Sequence, residues 1–203
     1  MERKWAVAVM AAVILGLISI SCHSPMKMRP DAVTGATATY QHGETMLPPD
    51  AGDYEVIGVV DGLKKYVVEY DDRLYRGGEP CADSAAQWLR QQEIRTIISI
   101  TPTEQERNLC RENGFTLVEL PFQKASGLSP EDLGRYLETI RTGAGPFYVH
   151  CHGGTHRGGV LGVAYRVHIQ GWPYEKPLVE HGRLGGDLLA DHIMLESVRK
   201  APK

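Results

Sequence analysis

The chain has 203 residues, of which 42% are hydrophobic and 23% charged, with 22 Gly, 12 Pro and 4 Cys. Such a balance excludes disordered, collagen-like and multi-span membrane chains, and the length suits one domain or one domain with an appendage. The formal net charge of −3 gives no argument for a nucleic-acid partner, and 4 Cys are too few for a disulfide scaffold.

Met1-Glu2-Arg3-Lys4 is a short, net-basic start, followed by 16 uncharged, mostly apolar residues from Trp5 to Ile20. A bilayer span needs ~20 apolar residues, so this run fits the apolar part of a secretory signal better than a transmembrane helix. It ends in Ser19-Ile20-Ser21-Cys22. Small residues ahead of a Cys at the end of a signal resemble a bacterial lipobox, with Ser19 standing where Leu is most usual. The resemblance implies that residues 1–21 are removed and that Cys22 is lipidated. The protein is then expected on the bacterial cell envelope, held in the membrane by its N-terminal lipid and facing away from the cytoplasm. His23 stands where an Asp would resemble an inner-membrane retention signal. A plain signal peptide, or an uncleaved anchor with Cys22 incidental, is the alternative. Residues 22–53 carry Pro25, Pro30, Pro48 and Pro49 among many Ser, Thr and Gly, with no sustained apolar period, and read as a tether. The globular domain is expected over 54–203, as a monomer.

Tyr54–Val60 and Lys65–Tyr70 are β-rich runs separated by the hairpin signal Asp61-Gly62. Leu74-Tyr75-Arg76 predicts a short strand ending at Gly77-Gly78. Asp83 or Ser84 can cap a helix reaching about Gln92, and Arg95–Ile100 predicts a buried strand. Thr101-Pro102-Thr103-Glu104 has the form of a capping box with Pro at the first helical position, for a helix ending near Asn113 with Gly114 as its C-cap. Phe115–Leu120 is the next strand. Ser129-Pro130-Glu131-Asp132 opens a helix that stops at Gly143. Phe147–His150 is a strand, followed by a Gly-rich loop and a helix from about Arg157 to Gln170. Val160, Leu161, Val163, Ala164 and Val167 line most of that last helix, which predicts deep burial. Strands alternating with helices imply a single α/β domain with a central, mostly parallel sheet flanked by helices.

The strand–loop–helix unit reads His150-Cys151-His152-Gly153-Gly154-Thr155-His156-Arg157. Five residues between Cys151 and Arg157 can wrap from the strand end to the helix start as a semicircle of backbone N–H groups. Gly153 and Gly154 permit the conformations this needs. The helix beginning at Arg157 turns its positive dipole end into the cradle, and the Arg157 fork can bind two oxygens of a phosphate. His152, Gly153, Gly154, Thr155, His156 and Arg157 are thus the expected phosphate binders. A positive field of this kind favours the thiolate of a cysteine at its focus, and a thiolate facing bound phosphorus forms a cysteinyl-phosphate.

His150-Cys151 through Arg157 resembles the signature of the cysteine-based protein tyrosine and dual-specificity phosphatases. Leu74-Tyr75-Arg76-Gly77-Gly78-Glu79-Pro80 resembles the "LYRSGQP" segment of small bacterial phosphatases and of the atypical dual-specificity group of plants and fungi. Ile94–Ile100, Val118–Phe122 and Gly171–Glu175 resemble further segments of the same proteins, so the resemblance spans about residues 70–185. His156-Arg157 resembles the "KHR" variant of the atypical group, some of which act on inositol pyrophosphates. The resemblance implies hydrolysis of phosphate monoesters, on phosphorylated protein or small molecules, with Cys151 and Arg157 catalytic and no metal or cofactor. Two departures stand out. Gly158 replaces the Ser or Thr that follows the Arg and helps the thiolate leave. The loop Gln123-Lys124-Ala125-Ser126-Gly127 has no carboxylate where the family has its acid, leaving the general acid unknown, with Glu119 and Asp132 flanking the loop as candidates.

Other readings stay open on the residues alone. The missing acid and Gly158 fit a catalytically weak pseudophosphatase that keeps the phosphate cradle as a binding module. His150, His152 and His156 around Cys151 fit a Cys/His metal-binding protein. His150 is expected to hydrogen-bond and position the loop. Arg76 either buttresses the site or is a surface arginine, and Lys124 reads as a solvated loop lysine. Cys81 and Cys110 read as small buried residues, with pairing between them as the alternative. His181 and His192 have no evident partner.

Overall fold

A computed structural model describes residues 53–201. The expected signal, Cys22 and all of the tether except Asp53 lie outside the described residues. The elements in chain order are β1 (Glu55–Val59), β2 (Tyr66–Glu69), β3 (Leu74–Gly78), α1 (Asp83–Gln91), β4 (Thr96–Ser99), α2 (Glu104–Asn113), β5 (Thr116–Glu119), α3 (Pro130–Thr142), β6 (Phe147–Cys151), α4 (Arg157–His168), α5 (Glu175–Arg183) and α6 (His192–Lys200).

The strands form one sheet in the order β1-β2-β3-β6-β4-β5. The Asp61-Gly62 turn, with Gly62 at φ 78°, returns β2 antiparallel to β1, and β2 is antiparallel to β3. The β3–β6, β6–β4 and β4–β5 pairs are all parallel. This is the mostly parallel α/β sheet expected, with an antiparallel meander on one side. β6 is the centre, and its pleat sorts its residues. Phe147, Val149 and Cys151 enter the core under α3, α4 and α6, whereas Tyr148 enters the core under α1 and α2. Alternation therefore sends Cys151 and His150 to opposite faces of the sheet.

α4 runs through the larger core, with every residue from Gly158 to Arg166 buried. Gly162 is required there, because a Cβ would come 2.1 Å from the Tyr70 hydroxyl. Arg166 carries a charge into this interior. It pairs with Glu180 of α5 at 2.9 Å, both side chains being about 2% exposed, and its guanidinium lies 4.3 Å from the Trp172 ring centroid. Burial pushes the Glu180 carboxyl above its usual range, against the pull of Arg166.

Two helix starts differ from expectation. Ala82, not Asp83 or Ser84, occupies the N-cap of α1 without a side-chain bond, and Asp83 lies in the first turn near the positive helix end. α2 begins two residues later than the Thr101 box implies. Thr103 is its N-cap and accepts from the Glu106 N–H, because Glu106 turns its carboxylate inward rather than back along the helix. Ser129 caps α3 and Gly114 closes α2 as expected. α5 and α6 had no prediction. Among the described residues no helix is long and apolar enough to cross a membrane.

Glu180→Ala would strand the Arg166 guanidinium in the core. Loss of one partner of a buried pair costs ~3–5 kcal/mol. A large drop in the urea midpoint with an unchanged slope is therefore expected, and a midpoint within error of the wild type would contradict it.

Candidate active site

Cys151 ends β6 and is 4% exposed. The chain then wraps through 152–156 into α4, whose N-cap is His156. Gly154 is the pivot. It lies at φ 74°, and a Cβ there would come 2.3 Å from the Gly77 carbonyl oxygen and 2.8 Å from the Gly78 nitrogen. The loop thus folds back against the end of β3, where only glycine meets glycine. The fold is tied by the Glu79 N–H, which donates to the His152 carbonyl at 3.3 Å. Among the described residues, the N–H groups of Gly153, Gly154, Thr155, His156 and Arg157 make no hydrogen bond to the protein. Unpaired amides at the start of a helix, directly after a cysteine in the chain, are the donor set an oxyanion site needs. Arg157 opens α4 and donates Nη1 to the Phe122 carbonyl at 3.2 Å, which holds the 121–129 loop against the cradle. Lys65, an exposed residue at φ 59°, adds a cation over the same loop, its Nζ 3.2 Å from where a Gly153 Cβ would stand.

Each histidine of the motif is held by a different carboxylate. His150, fully buried, reaches Glu106 of α2 at 2.5 Å, and Glu106 also accepts from Ser99 Oγ at 2.7 Å. This is the positioning bond expected of His150. Exposed His152 meets Glu79 at 2.9 Å, and Lys64 pairs with the same carboxylate at 2.8 Å. Burial works against Glu79, but Lys64 and His152 hold its carboxyl below the usual range. His156 places Nδ1 2.9 and 3.1 Å from the two oxygens of Asp191. Three rings committed to three carboxylates on three elements do not converge on a common ion. Among the described residues no group of three or more His, Cys, Asp or Glu is arranged to hold a metal.

Asp191 is the residue that sequence reasoning missed. It is fully buried, yet it accepts from His156, from His181 Nε2 at 3.0 Å, from Lys124 Nζ at 3.0 Å and from the Asp187 N–H at 3.2 Å. Burial alone would push its carboxyl up. The bonds from His181, His156, Lys124 and Asp187 outweigh burial and hold it well below the usual carboxylate range. His181 therefore has a partner after all. Burial lowers its pKa, Asp191 pulls the other way and Arg76 adds to the lowering, and by assignment from its bond to the carboxylate the ring donates from Nε2. Lys124 is not simply solvated, since Asp191 ties it and its loop to the cradle.

The remaining candidates separate clearly. Glu119 ends β5, two strands or ~10 Å from β6, where Arg107 holds both its oxygens at 2.7 and 2.9 Å. Asp132 accepts from Ser129 Oγ at 2.8 Å in the first turn of α3. Glu119 thus has both oxygens engaged, and Asp132 has one, Oδ2. Arg76 is 1% exposed and sits beneath α4, giving Nη2 to the Leu184 carbonyl at 3.3 Å, with Nη1 unpaired. It is an interior buttress rather than a surface arginine. Cys110 is a free buried thiol, so it does not pair with Cys81. Burial, with Glu106 nearby, pushes that thiol up to about 12. Gly159 is packed tight, a Cβ there meeting His181 at 2.6 Å and Arg76 at 2.7 Å. Gly158 is not, its nearest neighbours being Cys151 N at 3.6 Å and Cys151 Sγ at 3.8 Å.

This architecture has known relatives. Residues 59–184, more than half of the chain, match the family described as DSP-PTPase phosphatase fused to NAD+ kinase, and the chain belongs to this family of dual-specificity-type phosphatases. The dual specificity protein phosphatase TpbA of Pseudomonas aeruginosa strain UCBPP-PA14 is 28% identical over 114 residues, 55% of this chain and 51% of that protein. The chain therefore spans about half the length of the curated relatives it matches. The fold is shared with crystal structures. That of a Cys-to-Ser variant of P. aeruginosa TpbA in complex with pTyr has a TM-score of 0.61 at 20% identity, covering 75% of this chain and 92% of that one. That of the core catalytic domain of the PP-IP phosphatase SIW14 from S. cerevisiae, in complex with citrate, has a TM-score of 0.56 at 18% identity, covering 77% and 88%.

Gly154→Ala tests the cradle. The left-handed backbone alone costs ~1–2 kcal/mol for a residue with a Cβ, and the contact with Gly77 adds to it. The variant is expected to melt lower and to lose the rise in Tm that orthovanadate gives the wild type. Retention of the full vanadate-induced rise would show that the loop does not depend on that contact.

Proposed function

We propose that this protein is a cysteine-dependent phosphatase that hydrolyses phosphate monoesters, of phosphotyrosine in protein or of small phosphorylated molecules. The observation that carries the reading is the run of amides from Gly153 to Arg157, between Cys151 and the start of α4, that are unpaired among the described residues. Phosphate oxygens accept from the amides and from Arg157, which places phosphorus in front of Sγ. The Cys151 thiolate attacks, the S–P bond forms and the ester P–O bond breaks. Water then displaces sulfur and releases phosphate. The equatorial oxygens of both transition states are held by donors already in place, which is the largest catalytic contribution such a site can make. Family membership and the pTyr and PP-IP relatives support this reaction class. Anchorage through a lipid on Cys22 in the bacterial envelope remains part of the proposal and rests on the sequence.

The same geometry favours one rival, a phosphate-binding pseudophosphatase, because the 121–129 loop presents no carboxylate and Gly158 no hydroxyl. An activated aryl phosphate separates the two, since a good leaving group needs no acid. p-Nitrophenyl phosphate should be hydrolysed by the wild type. Cys151→Ser should abolish turnover yet retain vanadate binding, the cradle being backbone. Arg157→Lys should lose both, because an ammonium cannot reproduce the fork. Turnover surviving in Cys151→Ser would refute the mechanism.

Gly158 bears on the second step. A hydroxyl beside departing sulfur would donate a hydrogen bond to it, and a Cβ at 158 would have ordinary contact with Sγ, so serine fits. With activated substrates the wild type is expected to release a burst of product and then a slow steady rate. Gly158→Ser should speed the slow phase ~10-fold, the equivalent of ~1.4 kcal/mol in that transition state. A folded Gly158→Ser enzyme with an unchanged steady rate, and no burst in either form, would show that the missing hydroxyl is not limiting.

A further inference from the structure

The leaving oxygen of an unactivated ester needs a proton, and the obvious sources are engaged elsewhere. The 121–129 loop holds no carboxylate, Glu119 is held by Arg107 and Asp132 by Ser129. Among the described residues, two side chains of the loop have Nδ1 held by a carboxylate and Nε2 unpartnered, His152 on Glu79 and His156 on Asp191, and His156 is the one that precedes Arg157 and shares its carboxylate with Lys124 of the 121–129 loop. His156 lends its own N–H to the cradle and is the residue before Arg157. Its Nδ1 lies between the two oxygens of buried Asp191, at 2.9 and 3.1 Å. The side chain is 39% exposed, and among the described residues Nε2 has no protein partner. A histidine oriented by a carboxylate on one nitrogen and open on the other is the arrangement of a proton-transfer group.

We propose that His156 is the proton donor and acceptor of this phosphatase, with Asp191 as its positioning residue. The inference rests on the cysteine-phosphatase reading and supplies the acid that reading lacks. In the first step Sγ bonds to phosphorus, the ester P–O bond breaks and its electron pair stays on the leaving oxygen. That oxygen takes the proton from His156 Nε2. In the second step a water oxygen bonds to phosphorus, the S–P bond breaks with its electron pair returning to sulfur, and a water proton passes to Nε2. The ring ends as it began, and the net change is ester and water to alcohol and phosphate.

The charged groups around the ring are known from every element packed on it. Asp191, just before α6, faces Nδ1. Lys124 of the 121–129 loop and His181 of α5 share that carboxylate, and Arg157 follows in the chain. Lys124 is the competing donor. Its ammonium is tied to the Asp191 carboxylate at 3.0 Å, whereas Nε2 of His156 has no partner among the described residues. The Asp191 cluster also gives Lys124 a separate role, because it ties the 121–129 loop to His156 of the cradle.

The test reads sensitivity to the leaving group. With the full-length chain, kcat/KM is measured for phenyl phosphate and for 2,4-dinitrophenyl phosphate in the wild type, His156→Gln, Asp191→Asn and Lys124→Ala. This ratio reports the step through P–O cleavage and compares two substrates on the same preparation, so partial misfolding cancels. Loss of an acid slows only the ester that needs it, by ~10²–10⁴-fold. In His156→Gln the phenyl-to-dinitrophenyl ratio should fall ~100-fold or more. Asp191→Asn should move it in the same direction but less, with a changed pH profile for phenyl phosphate. Added imidazole should restore phenyl phosphate hydrolysis in His156→Ala. Equal slowing of both substrates in His156→Gln, or a ratio that falls in Lys124→Ala instead, would overturn the proposal. If the wild type hydrolyses neither substrate, or Cys151→Ser hydrolyses both, the phosphatase reading itself fails and the proton shuttle falls with it.

Discussion

The close approach of Gly154 to the backbone of Gly77 and Gly78 is the constraint on which the site depends. β3 and β6 run parallel with Gly78 opposite Cys151, and the loop after Cys151 must cross back over the end of β3. It can do so only where side chains are absent on both sides. A Cβ on Gly77 would come 2.2 Å from the Tyr148 hydroxyl, and one on Gly78 would come 1.9 Å from the Lys64 carbonyl oxygen. Three elements crowd the same point, and the glycines let them meet. The curvature this forces on 152–156 leaves the amides of 153–157 without acceptors among the described residues, and it delivers the chain to α4 with Arg157 first. Anion affinity here follows from backbone shape, with side chains adding direction and charge.

Around this loop the protein spends buried charge on position. Glu106, Glu79 and Asp191 stand on different elements and each holds one histidine of the motif. Buried ion pairs contribute little net stability, because desolvation offsets most of the attraction. Their effect is geometric: His150 is fixed behind Cys151, His152 is held to the end of β3 and His156 to the start of α6. Asp191 does the most, since it also draws in Lys124 and so couples the 121–129 loop to the cradle. The Arg166–Glu180 pair plays the parallel role for α4 and α5. The packing that stabilises the domain and the polar contacts that aim the site meet on α4, which is buried from Gly158 to Arg166 and begins at Arg157, directly after the cradle.

Much of this was legible in the sequence because it is local. Runs of β-favouring residues between turn signals marked the strands, Gly114 and Ser129 marked the end of α2 and the start of α3, and the Gly-rich run after Cys151 marked a loop between β6 and α4. What escaped is what depends on distant residues. Glu106 reads as a helix-start residue on the surface, and nothing local reveals that His150, 44 positions away, draws it inside. Asp191 and His181 lie in a stretch without a strong apolar pattern, and their roles exist only once α5 and α6 fold back under α4. The same distance effect concealed Lys124, which looks solvated until Asp191 is placed. The cap of α2 was misplaced for a related reason, since Thr103 caps while Glu106, occupied by His150 and Ser99, does not reach back.

The central claim is that Cys151 attacks phosphorus held by the loop. Rapid acid quenching during turnover of an activated aryl phosphate, followed by peptide mass spectrometry, tests it most directly. The account predicts one phosphoryl group on the peptide carrying Cys151, acquired within the burst and lost as phosphate appears, with none on Cys110. Turnover with no phosphorylated Cys151 at any quench time would contradict it, and so would a phosphoryl group on any histidine of the loop in its place.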